Sequence, residues 1–324
     1  MTLNPILGIP QLIARASSTI NSKLDLLLQP NQRTRYLAFL RVYLAFHICK
    51  KLVFAWPHLN VLYAQNSFAK WSDCLWMDVV SSSWVHLHYE LVNVALMGAA
   101  ICMGLGLGRR LAVIAVYSLM VILQQTNGFC LDGGDNLLSF IMLYLCFCNS
   151  FEFLSISKPN YKSENVRKLD NLFTNLASAS MIMHLLLAYF ISGFSKANSE
   201  VWYKGTATYY ILLNERFCGT SLNPLVVQNA YFVTISTYTT LLWEISFPLL
   251  IFNKRLRLPL MAIGIMMHLG IYVFMMINEF QFVFMMLYGL FFTNTELLAA
   301  MYKIKRLFIH SRPPEFVPQT TPTA

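Results

Sequence analysis

Lys196 closes an apolar stretch, Tyr189-Phe190-Ile191-Ser192-Gly193-Phe194-Ser195, and Trp202, Gly205, Tyr209 and Tyr210 follow closely. A lysine at the end of an apolar helix is partly removed from water, and desolvation favours the neutral amine. Such an amine can take a proton from a phenol-like or quinol headgroup that reaches it from a membrane. The same placement suits an interface anchor whose ammonium snorkels to lipid headgroups, and Trp202 is by default a residue of that interface. Base and anchor both stay open at this level. Gly205 is expected to turn the chain so that residues 206–217 form a short interfacial helix.

Residues 131–136 read Leu-Asp-Gly-Gly-Asp-Asn. Gly133 and Gly134 ahead of Asp135 make a tight turn and a helix start, since an acid is favoured at a helix N-terminus. The glycines would also let a substrate come close to the backbone. Glu244 and His268 fall midway along apolar stretches, as do His47 and His184. Ionisable groups so placed are costly, and they face a cavity, a partner or a proton path. Glu244 and His268 lie on adjacent antiparallel segments and are expected to meet, as a functional pair or as a hydrogen-bonded tie. Arg41 sits near one end of the first apolar segment, where it could snorkel, reach Glu244 or bind a lipid headgroup.

Cys49, Cys102, Cys146 and Cys148 fall inside apolar segments, where thiols pack as small hydrophobes. Their spacing is not that of zinc ligands, so no metal is predicted. Cys74, Cys130 and Cys218 fall in outer loops, where a disulfide between two of them would persist, although spacing does not choose the pair.

The elements that must position these residues follow from composition. Hydrophobic residues make up 56% of the 324-residue chain and charged ones 12%, about half the charge of a soluble domain. Apolar runs near the roughly 20 residues needed to cross a bilayer predict an all-α, polytopic membrane helix bundle of about eight spans. They do not alternate as outer-membrane strands do. The spans are read at 36–56, 87–107, 111–127, 135–151, 177–195, 232–252, 257–277 and 280–302. The basic residues then collect on one side: Arg33 and Arg35, Arg109 and Arg110, Lys158 to Lys168, Lys254 to Arg257, and Lys303 to Arg306. That pattern predicts both termini in the cytoplasm. It also accounts for the net charge of +9 without nucleic acid as a partner. Residues 1–30 are read as an amphipathic helix on the membrane surface and 307–324 as a disordered cytoplasmic tail. No cleavable signal is expected, because Met1 to Leu28 lacks a basic start and a continuous apolar core.

The Lys196 segment, with Trp202-x-x-Gly205 and Tyr209-Tyr210, resembles the membrane domain of vitamin K-dependent gamma-glutamyl carboxylases, the HTTM (horizontally transferred transmembrane) superfamily. Arg41, Gly133-Gly134-Asp135, Glu244-x-x-x-Pro248 and His268 are similar to further landmarks of that family. The resemblance implies that residues 31–306 form an HTTM-type domain with its working face outside the cytoplasm. It implies a reduced quinone of the vitamin K or menaquinone type as cofactor, with Lys196 as the base and Glu244 and His268 as polar supports. Arg41, Gly133, Gly134, Asp135, Trp202, Gly205, Tyr209 and Tyr210 would then hold substrate or cofactor. Ser195 stands where animal carboxylases have a second lysine, and with the last span close to residue 302 no large lumenal region like the one that holds the carboxylases' substrate is expected after it, so the resemblance does not extend to glutamate carboxylation. In form the chain is more similar to the compact bacterial branch that includes the sporulation-delaying protein B family. That similarity implies a bacterial cytoplasmic membrane, with lipids and a secreted peptide or protein as partners. A peptide-binding or immunity protein without chemistry, and a transporter, are the other classes these residues allow.

Overall fold

The structure, a computed structural model, describes residues 25–64, 82–126, 131–277 and 279–308. Among them the fold is all-helical, and the only extended pairing is an isolated bridge between Cys218 and Met275. The main helices are α1 (Thr34–Ala55), α2 (Tyr89–Leu105), α3 (Arg110–Thr126), α4 (Gly133–Phe147) and α5 (Glu164–Ala197). They continue with α6 (Ala207–Leu213), α7 (Ala230–Leu250), α8 (Lys254–Phe274), α9 (Phe280–Leu287) and α10 (Asn294–Phe308).

Short polar side chains start several of them by satisfying free backbone amides. Asp132 and Asp135 form a reciprocal capping box on α4. Ser163 Oγ accepts from Val166 N on α5 (3.3 Å), and Asn229 and Asn253 do the same for α7 and α8. Gly106, at φ 74°, ends α2 in the left-handed region. There a side chain would also strike Ser155 and Arg41.

Among the described residues two helices, α5 and α8, are long and apolar enough to cross a membrane. A third crossing is counted if α9 and α10 are taken as one broken span. Helices α2, α3 and α4 are apolar but shorter. The expected span 280–302 is not one helix. Eight α-helical residues and a four-residue 3-10 turn, Tyr288–Phe291, are followed by a bend of 104° into α10. The expected amphipathic helix at 1–30 falls almost wholly outside the described residues, as does nearly all of the tail at 307–324.

The helices pack mainly on their chain neighbours, and α5 also crosses α7, closely at Gly193 in its C-terminal part. At that crossing Gly193 allows a close approach, because a Cβ there would lie 2.9 Å from Ile245 Cγ1 and 3.0 Å from Glu244 Cβ. The interior is built from residues such as Leu40, Met103, Ile141, Leu185 and Phe247. Outward-facing Leu111, Phe54 and Leu249 are each more than two-thirds exposed, as a surface meeting lipid would have it.

Buried polar ties fix the end where the Arg and Lys clusters lie. Arg41, wholly buried, donates to Met103 O (2.6 Å) and Leu154 O and lies 4.8 Å over the Phe151 ring. Asp170 on α5 accepts from Tyr161 (2.6 Å) and pairs with Arg110. These contacts hold the loop after α4 against α2, α3 and α5.

Candidate functional site

At the other end of the bundle, α5, α7 and α8 surround a cavity of about 660 Å3. Its walls are largely apolar, with Ile263, Met267 and Ile271 from α8 and Phe280 and Phe284 from α9. Helix α6 supplies Ile211 and Leu212 on the loop side. The loop after α6 is tied to the end of α8, because Asn223 donates to Leu212 O (2.9 Å) and Phe274 O (2.8 Å) and Gly219 N donates to Phe274 O (3.1 Å).

Lys196 stands in this wall and forms an ion pair with Glu244 of α7. Its ammonium also donates to Ser192 Oγ one helical turn earlier (3.0 Å) and lies 5.0 Å from the Trp202 ring centroid. The Glu244 side chain is 8% exposed and that of Lys196 23%. A pair this far from water bears a desolvation cost that is offset only by close geometry and further hydrogen bonds. Glu244 Oε2 lacks such a bond: it is buried and has no partner among the described residues. The pair exists because Gly193, three residues before Lys196, lets α7 come close enough for Glu244 to reach across.

A second polar run enters the same cavity. His268 Nε2 lies 2.8 Å from Tyr189 OH, Tyr189 OH lies 2.8 Å from Tyr288 OH, and His268 Nδ1 lies 3.0 Å from Gln281 Oε1. Gln281 Nε2 donates to Ile277 O (2.8 Å), so its carbonyl faces the imidazole and can only accept. A neutral His268 therefore carries its proton on Nδ1 and accepts from Tyr189 at Nε2, and Tyr189 accepts from Tyr288. The donors all point one way, from Tyr288 through Tyr189 and His268 to Gln281. The expected meeting of Glu244 with His268 does not occur: each has its own partners, and they share only the cavity. Cross-helix partners on α5 and α9 take up both groups.

Trp202 lines the cavity, whereas Gly205, Tyr209 and Tyr210 do not. Gly205 makes the expected turn at φ 73°, packed against the Tyr238 ring. Helix α6 begins beyond it, shorter than the expected 206–217. Tyr209 and Tyr210 are exposed and meet edge to face at 5.3 Å. Gly133 and Gly134 press on Phe280, a Cβ on Gly134 falling 2.7 Å from Phe280 Cα. They thus seat an aromatic wall of the cavity without lining it. Asp135 pairs with Lys51, beside Lys50 and Glu279 (2.9 Å). Arg41 is far along the chain of contacts, among the carbonyls of the opposite end. His47 faces Glu279 (3.5 Å), and His184 lies 3.3 Å from Tyr144 OH. Cys218 has a free thiol, and Cys74 and Cys130 lie outside the described residues. Among the described residues no His, Cys, Asp and Glu side chains gather as a metal site would require.

Sequence reasoning missed Ser192, Tyr189, Tyr288 and Gln281 as site residues. Ser192 and Tyr189 stand one and two turns before Lys196, so helical spacing carried a signal for both. Gln281, an amide inside an apolar run, carried another. Comparison with protein-family models, with characterised proteins and with solved structures finds no match.

Proposed function

We propose that the chain is an HTTM-type integral membrane protein whose cavity binds the ring of a reduced quinone and takes a proton from its hydroxyl. In this reading α1–α5 and α7–α9 are eight crossings, both termini are cytoplasmic, and the cavity opens on the opposite face. The alternation of basic clusters along the chain supports that orientation. The short α4 and α9 would sit where the bilayer thins or is shielded by neighbouring helices.

One observation carries the chemistry: Lys196 and Glu244 are paired in the wall of an apolar cavity, with Glu244 Oε2 buried and without a partner among the described residues. A hydroxyl arriving there finds a carboxylate oxygen to accept its hydrogen and an ammonium to stabilise the resulting oxyanion. When the Lys196 proton has passed to Glu244, the neutral amine takes the quinol proton. The product is a quinolate facing a lysine ammonium and a protonated Glu244. His268, with its hydrogen-bonded neighbours, is a further polar support in the same cavity. In the cell the quinolate would serve to modify or mature a secreted peptide, in a bacterial cytoplasmic membrane, as the family resemblance implies.

The test is oxygen uptake by purified protein supplied with reduced menaquinone or vitamin K. Uptake that is lost in Lys196→Ala and in Glu244→Gln is the expected result. Equal uptake in wild type and both variants would overturn the proposal.

A further inference from the structure

Helix α10 leaves α9 at 104°, and the polar contacts of its first turn fix that direction. Asn294 N donates to Gln32 O (2.6 Å), Asn294 Nδ2 donates to Thr34 Oγ1 (3.1 Å), and Arg35 N donates to Asn294 Oδ1 (3.0 Å). Glu296 accepts from Thr293 N (2.9 Å) and pairs with Arg257 of α8 (3.2 Å). Helix α10 is therefore held at its start to both α1 and α8, across the direction of α9.

Beyond that turn the helix is strongly two-faced. Leu297, Leu298, Met301 and Ile304 fall on one side at helical spacing, and Lys303 and Arg306 fall on the other. Lys305 lies on the apolar side between Met301 and Leu298, where a lysine stem can lie along the apolar surface with its ammonium turned outward. Among the described residues nothing covers the apolar side: Leu298 is 41%, Met301 65% and Ile304 55% exposed. Lys254 and Arg255, exposed at the start of α8, extend the cationic rim, because the Arg257–Glu296 pair brings the two helix starts together.

We infer that α10 lies flat on an anionic bilayer surface, its apolar side among the acyl chains and its cations on the headgroups. This rests on the reading that the bundle spans a membrane. Given that reading, a helix at 104° to α9 runs along the interface, and the cationic rim complements anionic lipid. A second copy of the chain is a poorer occupant. Two-fold pairing through the apolar side would leave the cations of α10 and of the start of α8 without an anionic partner, whereas an anionic surface answers both sides of the helix at once.

The experiment is amide hydrogen exchange on the full chain in phosphatidylcholine vesicles with and without phosphatidylglycerol. Three cations near an anionic surface should slow exchange in residues 297–308 on the order of 100-fold when phosphatidylglycerol is present. A Lys303→Glu, Lys305→Glu, Arg306→Glu triple variant should lose that slowing while α5 and α8 keep their protection. Equal exchange in the two vesicles would overturn the inference. So would protection in detergent that follows protein concentration, which would assign the face to a second copy. Extraction of the protein by alkaline carbonate would overturn the membrane reading itself, whereas retention without lipid dependence would overturn the interfacial helix alone.

Discussion

Replacing Gly193 by alanine tests the crossing on which the site depends. The new Cβ would lie 2.9 Å from Ile245 Cγ1, 3.0 Å from Glu244 Cβ and 3.1 Å from Ile245 N. Each is a few tenths of an ångström inside ordinary contact. The isoleucine branch can rotate away, but the Ile245 amide belongs to the backbone of α7, so the helix itself must retreat. Overpacking of this kind costs about 1–3 kcal/mol, while alanine gains about 0.5–1 kcal/mol over glycine inside a helix. The net expectation is a loss of roughly 0–2 kcal/mol. Gly98→Ala in α2 is the matched control, since a Cβ there meets nothing within 4 Å, and it should stabilise by the propensity gain alone. Thermal unfolding of both variants in the same detergent gives the comparison. Gly193→Ala should fall below Gly98→Ala by about 1–3 kcal/mol, and it should also weaken quinol binding as Glu244 moves off Lys196. If the two substitutions stabilise equally, the close crossing of α5 and α7 is wrong.

Glu244→Gln keeps the shape of the side chain but leaves the Lys196 ammonium uncompensated. With Lys196 still partly exposed, the cost should be on the order of 2 kcal/mol, less than for a fully buried pair, read as a lowered denaturation midpoint. Tyr189→Phe removes the hydrogen bonds to both His268 and Tyr288 and should cost about 1–3 kcal/mol; unchanged stability would refute the chain of donors. Arg41→Met deletes the donor that gathers Met103 and Leu154 carbonyls and should destabilise the fold without altering quinol affinity in the protein that remains folded. Finally, burial raises the pKa of the Glu152 carboxyl, with a smaller repulsive contribution from Asp170. The folded chain then holds this proton better than the unfolded chain, so stability should fall as pH rises from the ordinary carboxylate value through the raised one. Glu152→Gln should flatten the stability profile in that window, and an unchanged profile would refute the assignment.

The sequence by itself determined the all-helical class and most helix positions, because apolar runs of span length and short polar caps act locally. Asp132 with Asp135, Ser163, Asn229 and Asn253 mark helix starts that a reader of the chain can find. The Lys196 segment was equally legible, since a cation closing an apolar run next to a tryptophan is visible without coordinates. What the chain could not disclose was which groups meet. Glu244 and His268 were paired on depth alone, but azimuth around each helix decides contact, and azimuth depends on how closely the helices pack. Gly193 brings α7 onto α5, which gives Glu244 to Lys196, while Gln281 and Tyr189 take His268 from two other helices. The same limit explains 280–302. Thr293-Asn294-Thr295-Glu296 interrupts its apolar residues and marks a break that the chain does show. The direction of the turn, however, depends on ties from Asn294 and Glu296 to α1 and α8, distant in sequence, which set it at 104°.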